Sequence, residues 1–355
     1  MSMARLAHRG VPLQLQGLSK RFGSVQALRA LDLDIQTGEL VAFLGPSGCG
    51  KTTTLLLIAG IYRASEGAIF FGDERVDALH PRDRDVGMVF QSYALYPHLS
   101  LFENIAFPLR LKRTPRTEID RRVKQAAELL GIAEQLARRP SQVSGGQQQR
   151  AALARALVKE PRVLLLDEPL SNLDAQIRLH ARGEIRRLQQ ELGITSVLVT
   201  HDQSEALAMA DRVAVFREGQ LLQYAPSEEL YDRPADTFVA QFVGHPPMNV
   251  LMGTVENGAF VGDGFSTTVP HGCPLGMVSL GIRPEDARVG GSLQARVSVI
   301  EPLGREFLVT CRLGDAIVQI LSTERPEPDS AGMVTLDFPV ERLHVFDADG
   351  KRIMT

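Results

Sequence analysis

The stretch LVAFLGPSGCGKT, residues 40–52, decides the fold because it joins an apolar strand to a helix through a glycine-rich turn. Residues 40–44 are apolar enough for a buried central strand, and a helical pattern follows at residues 53–60. Gly45 and Gly50 allow the backbone to wrap tightly, so that several N–H groups and the helix start face one anion. The stretch therefore predicts a phosphate-binding loop within an α/β fold.

Two side chains of this loop have the chemistry that a nucleoside triphosphate requires. Lys51 is expected to hold the β- and γ-phosphates. Thr52 offers a hydroxyl to Mg²⁺, which bridges two phosphates and keeps most of its waters. A glycine-rich turn that only caps a helix is the alternative interpretation, but the flanking strand and helix favour the phosphate loop.

Two other apolar runs end in polar side chains. Residues 163–166 lead into Asp167 and Glu168, and residues 194–200 are followed by His201. Ligands of α/β folds bind at the carboxyl ends of strands. Beside a phosphate loop, we expect Asp167 to hold the metal through water, Glu168 to act as base for the attacking water, and His201 to sense the γ-phosphate. Solvated loop carboxylates and a structural histidine are the alternatives.

The stretch Ser144-Gly-Gly-Gln147 opens a strong helix pattern over residues 148–159. Serine followed three residues later by glutamine is a capping-box arrangement, so the conservative interpretation is a helix cap. Two adjacent glycines directly before a helix also form a second anion-binding N-terminus. The residues alone leave open what this second site binds.

Composition excludes several classes of protein. The chain has 355 residues, 44% of them apolar, and a formal charge of -3, without the basic excess expected of a nucleic-acid binder. The three cysteines Cys49, Cys273 and Cys311 lie far apart without CxxC spacing, which argues against a disulfide framework and a zinc cluster. The start MSMARLAHRG lacks the apolar run of a secretory signal, and no apolar run approaches the roughly 20 residues that cross a bilayer. We therefore expect a cytoplasmic protein whose membrane role, if any, depends on a partner.

The pattern along the chain predicts two domains. From about Leu13 to Leu222, short apolar runs alternate with helical patterns, which is typical of a mostly parallel sheet flanked by helices. After about Asp236, brief segments punctuated by Gly and Pro predict a small all-β domain, with residues 244–248 as a linker. We expect a nucleotide-binding domain at 1–238, which includes a helical subdomain at about 92–160, and a β-barrel domain at 239–355.

One helix of the expected helical subdomain has a clear apolar face. Residues at helical spacing between 118 and 130 form it, namely Ile119, Val123, Ala126, Ala127 and Leu130. We therefore expect this face to pack against neighbouring helices of an inserted subdomain.

Four motifs, in this order and spacing, resemble the ATP-binding cassette (ABC) family over nearly the whole chain. They are the loop at 45–52, the signature at 143–147, the acidic pair at 167–168 and the switch histidine His201. Val143 replaces the leucine that is usual before the signature serine, which is a conservative departure. The resemblance implies a P-loop NTPase cassette that hydrolyses ATP with Mg²⁺.

The resemblance also implies roles for further residues. Phe22, within KRFG at 20–23, matches the aromatic residue that stacks on adenine, Gln91 matches the glutamine that touches Mg²⁺, and residues 171–174 match the loop that couples two sites. The implied nucleotide-binding positions are Phe22, Val25, Gly45, Pro46, Ser47, Gly48, Cys49, Gly50, Lys51, Thr52, Thr53, Gln91, Ser144, Gly145, Gly146, Gln147 and Asp174. The implied metal positions are Thr52, Gln91 and Asp167, and the implied catalytic positions are Lys51, Glu168 and His201.

Cassettes of this family pair head to tail, which would answer the question of the second anion site. ATP held by Lys51 of one copy would be closed over by Ser144 and Gly146 of the other, and a homodimer would form two complete sites. Closing and opening of the dimer would move membrane subunits between inward-facing and outward-facing states.

Within the family, the stretches at 91–100, 232–243, 247–249 and 281–286 are similar to ATPase subunits of maltose-type and sn-glycerol-3-phosphate importers. The similarity implies two transmembrane permease subunits, an extracytoplasmic solute-binding protein, a position at the cytoplasmic face of the plasma membrane, and a regulatory oligonucleotide-fold-like (TOBE) barrel. Apolar side chains would line the groove for a permease helix or, as the alternative, form core: Tyr93, Leu95, Tyr96, Leu99 and Phe102.

Other functions remain possible for the same motifs. Importers of glycerol phosphate, polyamine, sulfate or iron use similar ATPase subunits, so the solute is open. A non-transport ABC ATPase and a small-molecule P-loop kinase are the alternatives from other classes.

Overall fold

The computed structural model describes residues 10–353, so the sequence prediction about a signal at residues 1–9 lies outside the described part. The chain divides into two compact units, one ending at Ser227 and one beginning at Glu228. Among the described residues, no helix combines the length and the apolar character needed to span a bilayer.

The first unit is mixed α/β, as predicted. Its strands are β1 (Leu13–Phe22), β2 (Val25–Ile35), β3 (Leu40–Leu44), β4 (Glu66–Phe71), β5 (Glu74–Arg75), β6 (Val86–Val89), β7 (Val163–Asp167), β8 (Thr195–Val199), β9 (Arg212–Arg217) and β10 (Gln220–Ala225). Its helices are α1 (Lys51–Ile58), α2 (Leu101–Leu111), α3 (Arg116–Leu129), α4 (Gly145–Leu157), α5 (Ala175–Leu192) and α6 (Gln203–Met209).

The central sheet positions the site. Its order is β10-β9-β3-β8-β7-β6, and all pairings except that of β10 with β9 are parallel. The three strands predicted from their apolar runs correspond to β3, β7 and β8, and every residue of β3 and β8 is buried. Because β3, β8, β7 and β6 are adjacent and parallel, the residues that follow them meet at one edge of the sheet.

A second, antiparallel sheet of order β2-β1-β4-β5 belongs to the same unit, and the sequence pattern does not predict it. A two-residue turn joins β1 to β2, which permits direct antiparallel pairing. On β2, Leu28, Leu31, Leu33 and Ile35 are buried while their neighbours are largely exposed. This alternation is typical of a sheet with one covered face.

Helices α2, α3 and α4 form the predicted helical subdomain around an apolar core of their own. The predicted face of α3 is confirmed, since Ile119, Val123, Ala126 and Ala127 are buried. Leu130 follows the helix and packs against this core while partly buried. Ser100 begins α2 with a capping box to Glu103.

The second unit is dominated by antiparallel strands, as predicted. Its elements are α7 (Ser227–Asp232), α8 (Thr237–Phe242), β11 (Asn249–Glu256), β12 (Ala259–Gly262), β13 (Phe265–Thr268), β14 (Gly276–Ile282), β15 (Arg288–Pro302), β16 (Phe307–Leu313), β17 (Ala316–Ser322), β18 (Met333–Asp337) and β19 (His344–Phe346). The two sheets, of order β13-β12-β11-β14-β19 and β17-β16-β15-β18, contribute side chains to one core.

The second unit begins before the boundary at 238–239 that we infer from composition. Buried Arg283 donates hydrogen bonds to the carbonyls of Tyr231, Ala240 and Val243, which ties the segment carrying α7 and α8 to the strands. The stretch at 244–248 therefore lies inside this unit rather than linking two units. The bonds of Arg283 have no local sequence signal, because they join residues about 40 to 50 positions apart.

Candidate nucleotide-binding site

Two glycines of the loop between β3 and α1 lie so close to neighbouring backbone that a side chain would not fit. A Cβ at Gly45 would lie 2.3 Å from the carbonyl oxygen of Phe216, and one at Gly50 would lie 2.8 Å from that of Ala27. Gly50 also has a φ of 106°, a conformation that side chains disfavour. The loop therefore needs glycine at both positions.

The Lys51 ammonium lies inside this loop. The side chain is only 6% exposed, and Nζ donates to the carbonyl oxygens of Gly45 at 2.6 Å and Pro46 at 3.0 Å. A cavity of 270 Å³ adjoins the loop, lined by Ala27, Ser47, Gly48, Cys49, Gly50, Lys51, Thr52, Thr53 and Glu168. The cavity thus brings a cation, loop backbone, two threonines and one carboxylate together.

Thr52 and Asp167 meet across the ends of two strands. The Thr52 hydroxyl donates to Asp167 Oδ1 at 3.3 Å. Burial raises the pKa of Asp167, and the neighbouring Glu168 raises it further, while the Thr52 bond and Lys51 act in the opposite direction. A partly buried carboxylate beside a hydroxyl offers oxygen ligands of the kind that a divalent ion binds.

These residues suit Mg²⁺ better than a metal held entirely by the protein. Among residues 10–353, no group of three or more His, Cys, Asp or Glu side chains is arranged to hold a metal ion. Mg²⁺ commonly takes one or two protein oxygens, substrate phosphates and several waters. The hydroxyl of Thr52 and the carboxylate of Asp167 meet that requirement.

Glu168 is the meeting point of three strand ends. Its Oε2 accepts a hydrogen bond from Gln91 Nε2 at 3.0 Å and lies 3.1 Å from His201 Nδ1. Its backbone N–H donates to the carbonyl of Val199 in β8, and its φ is 44°, which is uncommon for a residue with a side chain. The backbone conformation therefore sets the direction of this carboxylate, and its contacts with Gln91 and His201 hold it in place.

Two supporting residues, Asn172 and Glu205, make contacts near Gln91 and His201. Asn172 Nδ2 donates to the carbonyl of Gln91 at 2.6 Å, so the loop at 171–174 contacts the segment after β6. Buried Glu205 accepts from the Thr200 hydroxyl at 2.7 Å, directly beside His201. Burial is the main cause that raises the pKa of Glu205. Glu205 belongs to no local motif, because it acts through a contact made by the fold, whereas Asn172 lies in the loop at 171–174 that the family resemblance already marks.

The signature stretch lies at the start of α4, where the predicted capping box is confirmed. The Gln147 N–H donates to Ser144 Oγ at 3.4 Å, and the Ser144 N–H donates to Gln147 Oε1 at 3.0 Å. Ser144 and Gly145 are exposed, and neither lines the phosphate-loop cavity of the same chain. Asp174 is likewise exposed, and it caps α5 by accepting from the Ile177 N–H. Within one chain, Ser144, Gly145 and Asp174 therefore lie outside the cavity that the phosphate loop lines.

Phe22 and Val25 lie at the turn between β1 and β2. Phe22 is 42% exposed and Val25 is 64% exposed, so Phe22 is not the core residue that its apolar character alone would indicate. The ring of Phe22 contacts the ring of Tyr62 edge to face, with 5.2 Å between centroids. No local motif marks Tyr62 as part of the site.

A separate cleft of 370 Å³ lies where the docking groove is predicted. Of the five apolar side chains predicted to face it, Tyr96 lines the cleft together with Phe107 and Pro108. The prediction is wrong for Tyr93, which is 5% exposed, and for Leu95 and Phe102, which pack against the helical core. Packing Leu95 and Phe102 against the core of α2, α3 and α4 is more favourable than leaving them at a surface. Leu99, which is half-buried, does not line the cleft.

Comparison with known proteins agrees with these motifs. The ABC transporter family matches residues 28–171, and the TOBE domain family matches residues 280–346. The trehalose/maltose import ATP-binding protein MalK of Thermococcus litoralis is 45% identical over 96% of this chain and 99% of its own length. The sn-glycerol-3-phosphate import ATP-binding protein UgpC of Ruegeria pomeroyi is 43% identical over the same shares. The xylose/arabinose import ATP-binding protein XacK of Haloferax volcanii is 44% identical over 92% of this chain and 90% of its own.

Solved structures resemble the first part of the chain. The ATP-binding cassette MJ0796, described as a dimer in a post-hydrolysis state bound to ADP and Pi, is 30% identical with a TM-score of 0.54. The match covers 61% of this chain and 98% of that cassette. With the motifs, the sheet order and the full-length relatives taken together, this chain belongs to the ABC transporter family, as an ATP-binding cassette followed by a TOBE domain.

Proposed function

We propose that this chain is the ATP-hydrolysing, energy-coupling subunit of an importer for a sugar or a sugar-like solute such as glycerol phosphate. The names of the relatives support import, and those with 43 to 45% identity span nearly the whole chain. The observation that carries ATP hydrolysis is the Glu168 carboxylate, which lines the phosphate-loop cavity and is confined by Gln91 and His201.

The loop would bind the phosphates of ATP. Backbone N–H groups at the start of α1 and the Lys51 ammonium supply positive charge around the cavity, which suits the β- and γ-phosphates. Exposed Phe22, with Val25 beside it, would receive the adenine ring by stacking. Thr52, Asp167 and Gln91 would hold Mg²⁺, which when bound neutralises part of the phosphate charge.

Glu168 would act on the attacking water. It accepts a proton from the water as the water oxygen bonds to the γ-phosphorus and the bond to the β-phosphate oxygen breaks, so that ADP and phosphate leave. His201, in contact with the same carboxylate, would keep it aimed and stabilise charge on the γ-phosphate. Through its hydrogen bond to Glu168, Gln91 would couple changes at this carboxylate to the segment at 91–100. That segment includes Tyr96, which lines the cleft.

A second copy of the chain would complete the site. Ser144, Gly145, Gly146, Gln147 and Asp174 would face the nucleotide held by the partner's loop, which agrees with the exposure of Ser144 and Asp174. The relatives and the dimeric cassette support a homodimer. In this proposal the dimer binds two permease subunits at the cytoplasmic face of the plasma membrane. An extracytoplasmic solute-binding protein delivers the solute to them.

The experiment that tests hydrolysis is Glu168→Gln. Removing a positioned base is expected to lower kcat by about 10²- to 10⁴-fold. ATP affinity should persist, and the ATP-bound dimer should accumulate on a sizing column because it no longer hydrolyses its nucleotide. Glu134→Gln, in a short turn after α3 and outside the cavity, is the matched control and should behave as wild type. Wild-type turnover by Glu168→Gln would remove Glu168 from the mechanism.

Copurification separates the importer from the other classes. The tagged chain, extracted from membranes with a mild detergent, should retain permease subunits. Retention of nucleic acid or ribosomes without permease would instead favour a non-transport ATPase. ATP turnover that depends on an added phosphate acceptor would favour a kinase.

A further inference from the structure

Three side chains form a small exposed cluster beside the proposed adenine-binding ring. Phe22 lies at the end of β1, Lys20 lies two residues before it, and Tyr62 lies in the loop after α1. Phe22 is 42% exposed and Tyr62 is 37% exposed. We call these residues the Lys20–Phe22–Tyr62 cluster.

The contacts within the cluster fix the Phe22 ring on two sides. The Tyr62 and Phe22 rings meet at an interplanar angle of 75° and a centroid distance of 5.2 Å, which is a favourable edge-to-face pair. Lys20 Nζ lies 4.7 Å from the Phe22 centroid and 5.9 Å from that of Tyr62. The same ammonium donates to the carbonyl of Arg63 at 2.8 Å, so it is tied to the loop that carries Tyr62.

This loop is in turn tied to the phosphate-loop helix. The N–H groups of Ile61 and Tyr62 both donate to the carbonyl of Leu56 in α1, the helix that begins at Lys51. The Ser65 hydroxyl accepts from the Arg21 N–H, which anchors the other end of the loop to β1. Tyr62 therefore connects the ring at the end of β1 to the element that carries the phosphate ligands.

We propose that Tyr62 is a positioning residue for nucleotide binding, which holds the Phe22 ring at a set place relative to the phosphate loop. This inference rests on the proposed function, because it requires that Phe22 stacks on the base of ATP. A free phenylalanine side chain would lose rotamer freedom when it stacks, and Tyr62 and Lys20 reduce that loss before ATP arrives. Tyr62 thus contributes to affinity for the base and not to the chemical step.

The test compares the affinities of the full-length chain for ATP and for inorganic triphosphate, by titration calorimetry with Mg²⁺. Phe22→Ala should raise the Kd for ATP about 5- to 150-fold, the range expected for a lost stacking contact. Tyr62→Ala should raise it about 2- to 10-fold, while Tyr62→Phe, which keeps the ring edge, should stay near wild type. Affinity for inorganic triphosphate should not change in Phe22→Ala or in Tyr62→Ala, because inorganic triphosphate has no base to stack on Phe22.

Two controls distinguish positioning from damage to the fold. Ile61→Ala removes an exposed apolar side chain from the same loop and should leave both affinities unchanged. The double variant Phe22→Ala/Tyr62→Ala should bind ATP no more weakly than Phe22→Ala alone, because Tyr62 acts through Phe22.

Three outcomes would overturn the inference. They are wild-type ATP affinity in Tyr62→Ala, full additivity in the double variant, and equal weakening of ATP and triphosphate binding. If Phe22→Ala still raises the Kd for ATP, wild-type affinity in Tyr62→Ala or full additivity in the double variant would refute only the role of Tyr62. The proposed function would then stand. Unchanged ATP affinity in Phe22→Ala would instead refute the proposed adenine contact, and the inference would fall with it.

Discussion

The chain has two glycine-rich helix starts, and they differ in their surroundings. At the start of α1, the loop lies against a cavity with Lys51 and Glu168, and Thr52 bonds to Asp167. At the start of α4, Ser144 is exposed and bonds to Gln147 in its own helix. Both starts offer backbone N–H groups to an anion. The first lies beside the proposed catalytic residues Lys51 and Glu168, whereas within residues 10–353 the start of α4 does not line their cavity.

An anion-binding helix start is therefore not by itself an active site. The start of α1 follows a central strand, and Asp167 and Glu168 at the end of β7 lie beside it. The start of α4 belongs to the helical subdomain and does not line that cavity. A second copy of the chain could supply what α4 lacks, and this is the arrangement that we propose. The following predictions test that comparison.

The largest effect is expected for Lys51→Ala. Lys51 supplies the buried cation of the loop, and hydrogen bonds from a charged group contribute about 1.5 to 3 kcal/mol. The Kd for ATP should rise at least 10-fold, and hydrolysis should fall below detection. Calorimetry and phosphate release measure the two quantities. Lys124→Ala removes a charge from an exposed position on α3 and serves as control. Unchanged affinity and rate would contradict the assignment of the loop.

A smaller effect is expected for Ser144→Ala, and a matched capping serine is available. Ser144 and Ser100 each begin a helix with a capping box, so alanine at either position should lower the free energy of unfolding by about 1 kcal/mol. Only Ser144→Ala should also lower kcat, by about 10-fold, because Ser144 would contact the partner's nucleotide. Urea unfolding and steady-state hydrolysis measure the two effects. Equal rates in the two variants would remove the difference between these helix starts.

Mixing Lys51→Ala with Ser144→Ala tests directly whether the two helix starts act in one composite site. In a head-to-tail dimer of Lys51→Ala with Ser144→Ala, one composite site carries both changes and the other carries neither. The mixture should therefore hydrolyse ATP faster than either variant alone at the same total concentration. No gain on mixing would argue that each chain hydrolyses ATP without its partner.

The smallest effect is expected in the stability of Asp167→Asn. Burial raises the pKa of Asp167, so at neutral pH the folded protein holds a carboxylate that would be better solvated in the unfolded chain. Asp167→Asn should therefore raise the free energy of unfolding by up to about 1 kcal/mol, which is the usual gain when a residue kept for function is replaced. The gain should be present above the raised pKa and disappear as pH falls through it, because wild-type Asp167 then becomes protonated. Urea unfolding at neutral and acidic pH measures it.

Asp73→Asn, at an exposed position between β4 and β5, controls for the change of net charge in that experiment. It should show no such pH-dependent difference from wild type. A pH-independent gain in Asp167→Asn would mean that burial of the carboxylate is not its cause.

Sequence analysis recovered the parts of the site that local motifs encode. The strand-loop-helix context of Lys51, the acidic end of β7 and the capping box of Ser144 are each readable from a few adjacent residues. It missed Tyr62 and Glu205, because an aromatic side chain in a loop and a glutamate in a short helix have no local signature. It misplaced Tyr93 in a groove, because an apolar stripe has the same pattern whether it faces a partner or a core.

The order of residues along the chain was enough to establish a phosphate loop, an inserted helical subdomain and an all-β tail, because backbone and side-chain preferences act over short distances. The fold was needed to bring Gln91, Glu168 and His201 within hydrogen-bond reach, since they follow different strands whose pairing is nonlocal. It was also needed to place Tyr62 against Phe22 and Arg283 beneath α8. These contacts depend on sheet order and long-range packing, which no short stretch of sequence encodes.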